Sequence, residues 1–411
     1  MNSRHSCHSW LKTSLTKIRP REFLFPVFVR DVIIRARFFL RKNMDYLYES
    51  FVRPLMFRKG FPFHGDVEKA HDMSFLALRA FAAIRPLVAL LQKFNLHAET
   101  VPTQKPVELF GLKFQNRVGL AAGYDKQARI WTAAGALGFG HVEVGTVTRH
   151  SQGGNEKPRM FRFPEKEAAI NSMGFPNDGA EEIARRLACG PKKGARICPL
   201  GVNIGKSTVT PMEKATEDYL ESFRLLAPHA DYVSVNVSCP NVPKLRELHE
   251  HSRLKELLGA VQAENRSLAE KTGKNPLPLL LKISPDLTFA QVDDVISVLE
   301  ETQFAGMIAT NTTTSRPADL AGAPERGGLS GAPLARRALD VVRYVVRATD
   351  GKLPVIGCGG ICDGDAAGRM IDEGAALIQI YTGMVYRGPF FGRSLARAFA
   401  WSQTNWPGAI W

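Results

Sequence analysis

The stretch Tyr232-Val-Ser-Val-Asn-Val-Ser-Cys-Pro-Asn241 carries two signals in succession. Its first half, Tyr232–Val237, is a short, largely β-branched run of the kind that forms a strand covered on both faces. Its second half breaks at Pro240 and leaves amides and a thiol where such a strand would end. Seven further runs of the same type flank it: Val118–Ala121, His141–Val144, Leu200–Ile204, Leu279–Ile283, Met307–Ala309, Val355–Ile356 and Leu377–Ile380. Each is followed by a polar or glycine-rich turn and then by helical sequence, the alternation that builds a parallel sheet. Eight units over roughly 290 residues match a (β/α)8 barrel in count and size. An open doubly wound sheet, the alternative α/β architecture, would carry a G-x-G-x-x-G turn after its first strand, and none is present.

Upstream of the barrel, assigned to residues 99–411, the pattern is helical. Over residues 44–98, Tyr48, Phe51, Val52, Leu55, Met56 and Phe57 recur at near-helical spacing before a Gly60-Phe-Pro-Phe63 breaker. Asp66 then caps a second helix through Met73, Leu76, Ala80, Phe81 and Ile84, ending near Pro86. The pair is either packed on the barrel or dips into a membrane to admit a lipid-soluble partner. Pro102–Pro106 reads as a linker, and Val107–Phe114 as a hairpin turning at Gly111.

The net charge of +14 in 411 residues suggests nucleic acid until it is located. Residues 1–43 hold ten Lys/Arg against Glu22 and Asp31, a local +8 that leaves +6 elsewhere. A basic arm beside apolar residues suits an anionic membrane surface better than a DNA groove. Arg30, Asp31, Arg35 and Arg37 interrupt the most apolar stretch, Phe23–Leu40, so no membrane-spanning helix is expected. This first segment is read as a mitochondrial presequence or an over-long gene start, and not as a secretory signal. The six cysteines form no C-x-x-C pair, which points to a reducing compartment and no zinc site. The ten histidines are dispersed, and His249 and His251 fall in a charged helical region read as solvated, so no metal is expected.

Chemistry in such a barrel sits at the C-terminal ends of the strands. Those ends hold Ala121–Lys126, Gly145-Thr146, Asn203–Lys206, Asn236–Asn241, Lys282, Thr310–Thr312, Gly357–Gly360 and Tyr381–Gly383. Any one asparagine there would be a strand-end cap, but Asn203, Asn236, Asn241 and Asn311 together suit a planar heterocycle with alternating carbonyl and N–H groups. Glycine-rich turns after the last two strands, with another at Gly327–Gly331, let backbone N–H groups close on a phosphate. Lys282 could instead form a Schiff base in an aldolase, although no Asp or Glu at a neighbouring strand end would serve it. Cys239 is either a buried inert thiol or a proton acceptor.

These motifs resemble the dihydroorotate dehydrogenase family. The match runs from about Met44 to Pro389 through Val118–Lys126, Val142–Thr148, Pro158–Arg162, Ile170–Phe175, Asn236–Asn241, Ala309–Thr313, Gly327–Gly331 and Tyr381-Thr382, in that order. The resemblance implies oxidation of dihydroorotate to orotate in pyrimidine biosynthesis, with FMN as hydride acceptor. FMN would be surrounded by Ala122, Gly123, Thr146, Asn203, Asn236, Lys282, Thr310, Ser330, Gly331, Gly360, Tyr381 and Thr382, its phosphate by Gly331, Gly360 and Thr382. Lys126, Asn171, Ser172, Met173, Gly174, Phe175, Asn236, Asn241, Asn311 and Thr312 would form the orotate pocket, with Cys239 as base.

The helical segment, with His71, resembles the quinone-reducing, membrane-associated branch. His71, Arg162 and Tyr381 would then line a tunnel for ubiquinone or menaquinone. The protein would be peripheral on the cytoplasmic face of a bacterial inner membrane or on the mitochondrial inner membrane. Three features depart from that branch, and two of them, at 239 and at 241–243, resemble the soluble one, which uses fumarate or NAD. Cysteine stands at 239 where serine is usual, Lys244 replaces a glycine, and Asn241-Val-Pro243 has the soluble form. Met173, Gln127 and Arg129 also differ from common family choices, with no functional account.

Overall fold

The computed structural model describes residues 67–84 and 106–405 apart from 243, 244 and 321, with positions 48, 50, 53, 86 and 88 in addition. The basic segment 1–43, most of the first expected helix, its breaker, the cap Asp66, residues 102–105 of the linker, Pro243 and Lys244 lie outside the described residues.

All eight apolar runs form parallel strands of one closed barrel. Its floor is a hairpin of β1 (Val107–Leu109) and β2 (Leu112–Phe114). Phe110 and Gly111 both take positive φ, 56° and 69°, so the hairpin turns as expected at Gly111 in the primed geometry that suits strand twist. Phe114 from this hairpin packs under the barrel beside Tyr232, Leu280, Ile308 and Leu377. The barrel strands are β3 (Val118–Leu120), β4 (His141–Val147), β7 (Leu200–Ile204), β8 (Tyr232–Asn236), β9 (Leu279–Ile283), β10 (Gly306–Ala309), β12 (Val355–Cys358) and β13 (Leu377–Ile380). They pair in chain order, and β13 closes on β3.

An outer layer of helices covers the strands, among them α3 (Ala180–Ala188), α4 (Ala215–Leu226), α5 (His251–Thr272), α6 (Phe289–Thr302), α7 (Ala335–Ala348) and α8 (Gly364–Asp372). Their starts follow local rules. Thr288 and Gln291 cap α6 reciprocally, and Asp363 accepts from the Ala366 N–H at 2.7 Å at the head of α8. Short α2 (Trp131–Ala136) and α9 (Thr382–Arg387) lie after β3 and β13, and α10 (Phe391–Asn405) follows.

Two expectations are corrected. Gly328–Gly331 is a strand, β11, not a turn. It pairs antiparallel with β6 (Ala168–Asn171), which also pairs with β5 (Met160–Phe163), forming a small sheet outside the barrel. Its glycines answer to crowding: a Cβ on Gly328 would lie 1.9 Å from Thr312 Oγ1, and one on Gly331 2.0 Å from the Glu167 carbonyl oxygen. His249, expected in solvent, is buried, while His251 opens α5 and is exposed.

The second N-terminal helix is α1, Val67–Ala83. One face, through His71, Phe75 and Leu78, turns toward the barrel, and Phe75 and Leu78 pack against its core. The opposite face leaves Met73, Leu76 and Ile84 at 48%, 57% and 51% exposure. Among the described residues, no helix is long and apolar enough to cross a membrane.

Candidate functional site

The site is built upward from a carboxylate buried inside the barrel. Glu143 on β4 has no solvent exposure, and each of its oxygens accepts two hydrogen bonds. Oε1 takes Asn203 Nδ2 at 3.0 Å and Ser234 Oγ at 2.9 Å; Oε2 takes Tyr232 Oη at 3.1 Å and Gln379 Nε2 at 2.9 Å. Burial and the adjacent carboxylate push the Tyr232 hydroxyl pKa well up, so it stays a donor.

This fixes the next layer. With Nδ2 of Asn203 committed to Glu143 and to Ser234 (2.7 Å), its Oδ1 faces the barrel mouth, where Thr146 Oγ1 donates at 2.5 Å and Asn236 Nδ2 at 3.3 Å. Asn236 Nδ2 also reaches Thr146 Oγ1 at 3.0 Å, so its Oδ1 points the other way. There it accepts from Ser238 Oγ (3.0 Å) and Asn311 Nδ2 (3.4 Å). Buried polar groups fully paired in this way hold one geometry.

Two adjoining clefts open above the network. One is lined by Ala122, Lys282, Thr310, Ser330, Gly331, Gly360, Tyr381 and Thr382, and also by Gln379. The Thr382 and Ser330 hydroxyls bond at 2.8 Å and stand beside the glycine backbone at 359–360. Hydroxyls and glycine amides at one end with a buried lysine at the other form a donor set that fits a phosphate-bearing, electron-rich planar cofactor such as FMN. The second cleft is the amide pocket. Gly123, Lys126, Thr146, Asn171, Met173, Gly174, Phe175, Asn236, Cys239, Asn241, Asn311 and Thr312 line it, and Ala122, Lys282, Asn311, Thr312 and Tyr381 also line the first. Asn203 and Ser172 do not line either cleft. Asn203 sits one layer beneath, and the Ser172 hydroxyl is buried without a hydrogen-bond partner among the described residues.

Lys126 is aimed by its loop. The buried Asp125 carboxylate accepts from the Arg129 and Ile130 N–H groups, both at 2.8 Å, and Lys126 Nζ then reaches the Gly123 carbonyl at 2.5 Å. Burial pulls the Lys126 pKa down to about 8, partly offset by Glu68 and Asp72. Asn171 is positioned by β6, where it pairs with Met160 on one side and Gly328 on the other.

A third region joins α1 to the clefts through aromatic rings. His71 meets Tyr124 edge-on at 5.1 Å, and Tyr124 meets Tyr381 edge-on at 5.7 Å. Ser74 Oγ lies 3.3 Å from Tyr124 Oη, and T-shaped pairs add roughly 0.5–1.5 kcal/mol each beyond burial. Burial, with Lys126 and Arg162 nearby, lowers the His71 pKa to about 3, so this ring is neutral at pH 7. Arg162 on β5 is held among Tyr48, Tyr124, Tyr381 and Tyr386. The three residues expected at the tunnel therefore converge. Nothing local in the sequence marks Gln379 or Tyr124 as part of this site, and Glu143 is nearly as well hidden. The one available sign was a glutamate inside an otherwise apolar strand run.

The profile of the dihydroorotate dehydrogenase family matches residues 105–400. A protein named dihydroorotate dehydrogenase (quinone) from Chloroflexus aurantiacus is 47% identical over 364 residues, covering 87% of this chain and 98% of the relative. One of the same name from Salinispora arenicola is 47% identical over 358 residues, covering 86% and 98%. The crystal structure of DHODH in complex with ferulenol from Eimeria tenella superposes with a TM-score of 0.71 at 33% identity, covering 83% of this chain and 92% of that one.

Removing the carboxylate should cost more than neutralising it. Glu143→Leu strands four buried donors and is expected to lose at least about 3 kcal/mol of stability. Glu143→Gln should lose about 1 kcal/mol, because the Gln379 amide, whose Oε1 is buried without a partner among the described residues, can turn to accept. Urea unfolding midpoints check the order, and equal losses would show that the acceptor glutamine retains does not hold the network.

Proposed function

The chain belongs to the dihydroorotate dehydrogenase family, and from that membership we propose that it oxidises dihydroorotate to orotate in pyrimidine biosynthesis and delivers the electrons to a quinone. The observation that carries the reading is the junction of an amide-lined pocket and a phosphate-suited cleft at one barrel mouth, sharing Lys282 and Tyr381. The quinone as acceptor is supported by the relatives' names and by the α1 aromatic route that ends at Tyr381.

FMN is the cofactor, and when bound it supplies a hydride acceptor that a second substrate can reoxidise. Ala122, Gly123, Thr146, Lys282, Thr310, Gly360 and Tyr381 would surround it, with Asn203 fixing Thr146 and Asn236 from below. Ser330, Gly331, Gly360 and Thr382 would take its phosphate, and Lys282 would offset negative charge developing on the ring.

The residues of the amide pocket divide the work on dihydroorotate. Lys126 holds the substrate carboxylate. Asn171, Asn236, Asn241 and Asn311 present both donors and acceptors to the ring carbonyls and N–H groups, with Thr312 beside them. Cys239 sits buried at the end of β8, inside this pocket, and takes the C5 proton while the C6 hydrogen leaves as hydride. A thiol gives up its own proton to become a base more readily than the hydroxyl of the serine usual in the quinone branch, and it is the resulting thiolate that takes the C5 proton. Met173, Gly174 and Phe175 close the pocket from the β6 side.

His71, Arg162 and Tyr381 form the quinone end. A neutral His71 and aromatic walls suit an apolar ring with carbonyl oxygens, which Arg162 can receive. The protein is peripheral, on the cytoplasmic side of an inner membrane, and the exposed face of Met73, Leu76 and Ile84 meets the lipid in which ubiquinone or menaquinone resides.

The visible spectrum of the purified protein, followed without oxygen, tests the whole reading. Dihydroorotate should bleach a flavin spectrum, and a short-chain ubiquinone, not fumarate, should restore it. Restoration by fumarate alone would move the protein to the soluble type. A colourless protein that takes up no FMN would contradict the reading and revive a Lys282-based aldolase. The pH dependence is set by Lys126: it is charged below about pH 8 and neutral above, so affinity for the orotate carboxylate is lost as pH rises through that value. The orotate Kd is expected to rise about tenfold per pH unit above it. A Kd flat to pH 10 would show that Lys126 does not hold the carboxylate.

A further inference from the structure

Glu68, on the barrel side of α1, is tied to the amide pocket through three relays. Its side chain is only 12% exposed and receives a two-pronged bond from Arg159, Nη2 to Oε1 at 2.7 Å and Nε to Oε2 at 3.2 Å. Lys157 adds a contact at 3.3 Å. Arg159 is itself buried, and its Nη1 donates to the carbonyls of Gly153 and Asn155, both at 2.7 Å. A buried guanidinium keeps such a pose only while a carboxylate balances it, and the fork geometry fixes its plane.

The 153–155 segment passes that constraint into the pocket wall. Asn155 Nδ2 donates to the Ser172 carbonyl at 2.9 Å and to the Asn241 carbonyl at 3.2 Å, and the Asn155 N–H reaches the Met173 carbonyl at 2.9 Å. Asn241 Nδ2 in turn donates to the backbone carbonyl of Asn171 at 3.0 Å and to its side-chain oxygen at 3.2 Å. The packing is flush: a Cβ on Gly174 would lie 2.6 Å from Asn155 Oδ1, and one on Gly154 2.3 Å from the Met173 carbonyl oxygen. Asn171, Met173, Gly174 and Asn241, at the end of these relays, all line the amide pocket.

We infer that Glu68 is a positioning residue for the substrate pocket: α1, docked through Glu68 and Arg159, sets the 153–155 segment and with it Asn171 and Asn241. The helix that serves the quinone also completes the dihydroorotate site, so the first half-reaction depends on it even when no quinone is present. This rests on the amide pocket being the dihydroorotate site.

The test uses the full-length, FMN-loaded protein without quinone. Orotate Kd and the half-saturating dihydroorotate concentration for anaerobic flavin bleaching are measured in the wild type, Glu68→Ala, Glu68→Gln and Arg79→Ala, the last an exposed position on the same helix. Glu68→Ala should raise both values about tenfold or more, a loss of about 1.4 kcal/mol, with FMN content unchanged. Glu68→Gln, which keeps one arm of the fork, should fall between, and Arg79→Ala should match the wild type. Unchanged values in both Glu68 variants, or an equal loss in Arg79→Ala, would overturn the inference. Where Glu68→Ala does not fold, Glu68→Gln carries the same two outcomes. A wild type that dihydroorotate does not bleach would instead remove the function on which the inference stands.

Discussion

A carboxylate sealed from the surface governs this barrel. Barrels of this fold are usually filled by branched apolar side chains, and a buried charge in their place is tolerable only if every lone pair is met. Glu143 meets that condition with four donors from three other strands, β7, β8 and β13. The consequence is directional. Because Asn203 must donate downward, it must accept from above, and that choice passes through Thr146 and Asn236 to Asn311. The amide orientations in the amide-lined pocket are thus set by a group beneath it that does not line it.

The mouth of the barrel uses the same economy of shared parts. Lys282 and Tyr381 face both clefts, so cofactor and substrate would meet across them. The β5–β6–β11 sheet supplies Arg162 to the aromatic cluster, Asn171 to the amide pocket and Ser330 to the cleft beside Thr382. Three sites with different chemistry are placed by one small sheet laid beside the strand ends. Burial then tunes them, keeping His71 neutral while leaving Lys126 close to its titration at physiological pH.

Much of this was legible before folding. Leu200–Ile204, Leu279–Ile283 and Leu377–Ile380 match their strands end to end, because an apolar β-branched run bounded by turns has few alternatives. The strand-end asparagines, Lys126 and Lys282 were found by position alone, since the fold dictates where chemistry sits. Glycine ordinarily marks a break, so the sequence of β11 suggests a turn; here it marks close approach to Thr312 and Glu167. Glu143 was hidden inside a motif, and its partners come from strands far apart in sequence. The Glu68–Arg159 pair spans 91 positions, and no local pattern announces it.

The crystal structure of the protein with FMN and orotate tests the central claim most directly. Orotate is predicted in the amide pocket, its carboxylate on Lys126, its ring edges on Asn171, Asn236 and Asn311, and Cys239 Sγ beside C5. Orotate bound elsewhere, or an amide pocket filled by the flavin ring itself, would contradict the account.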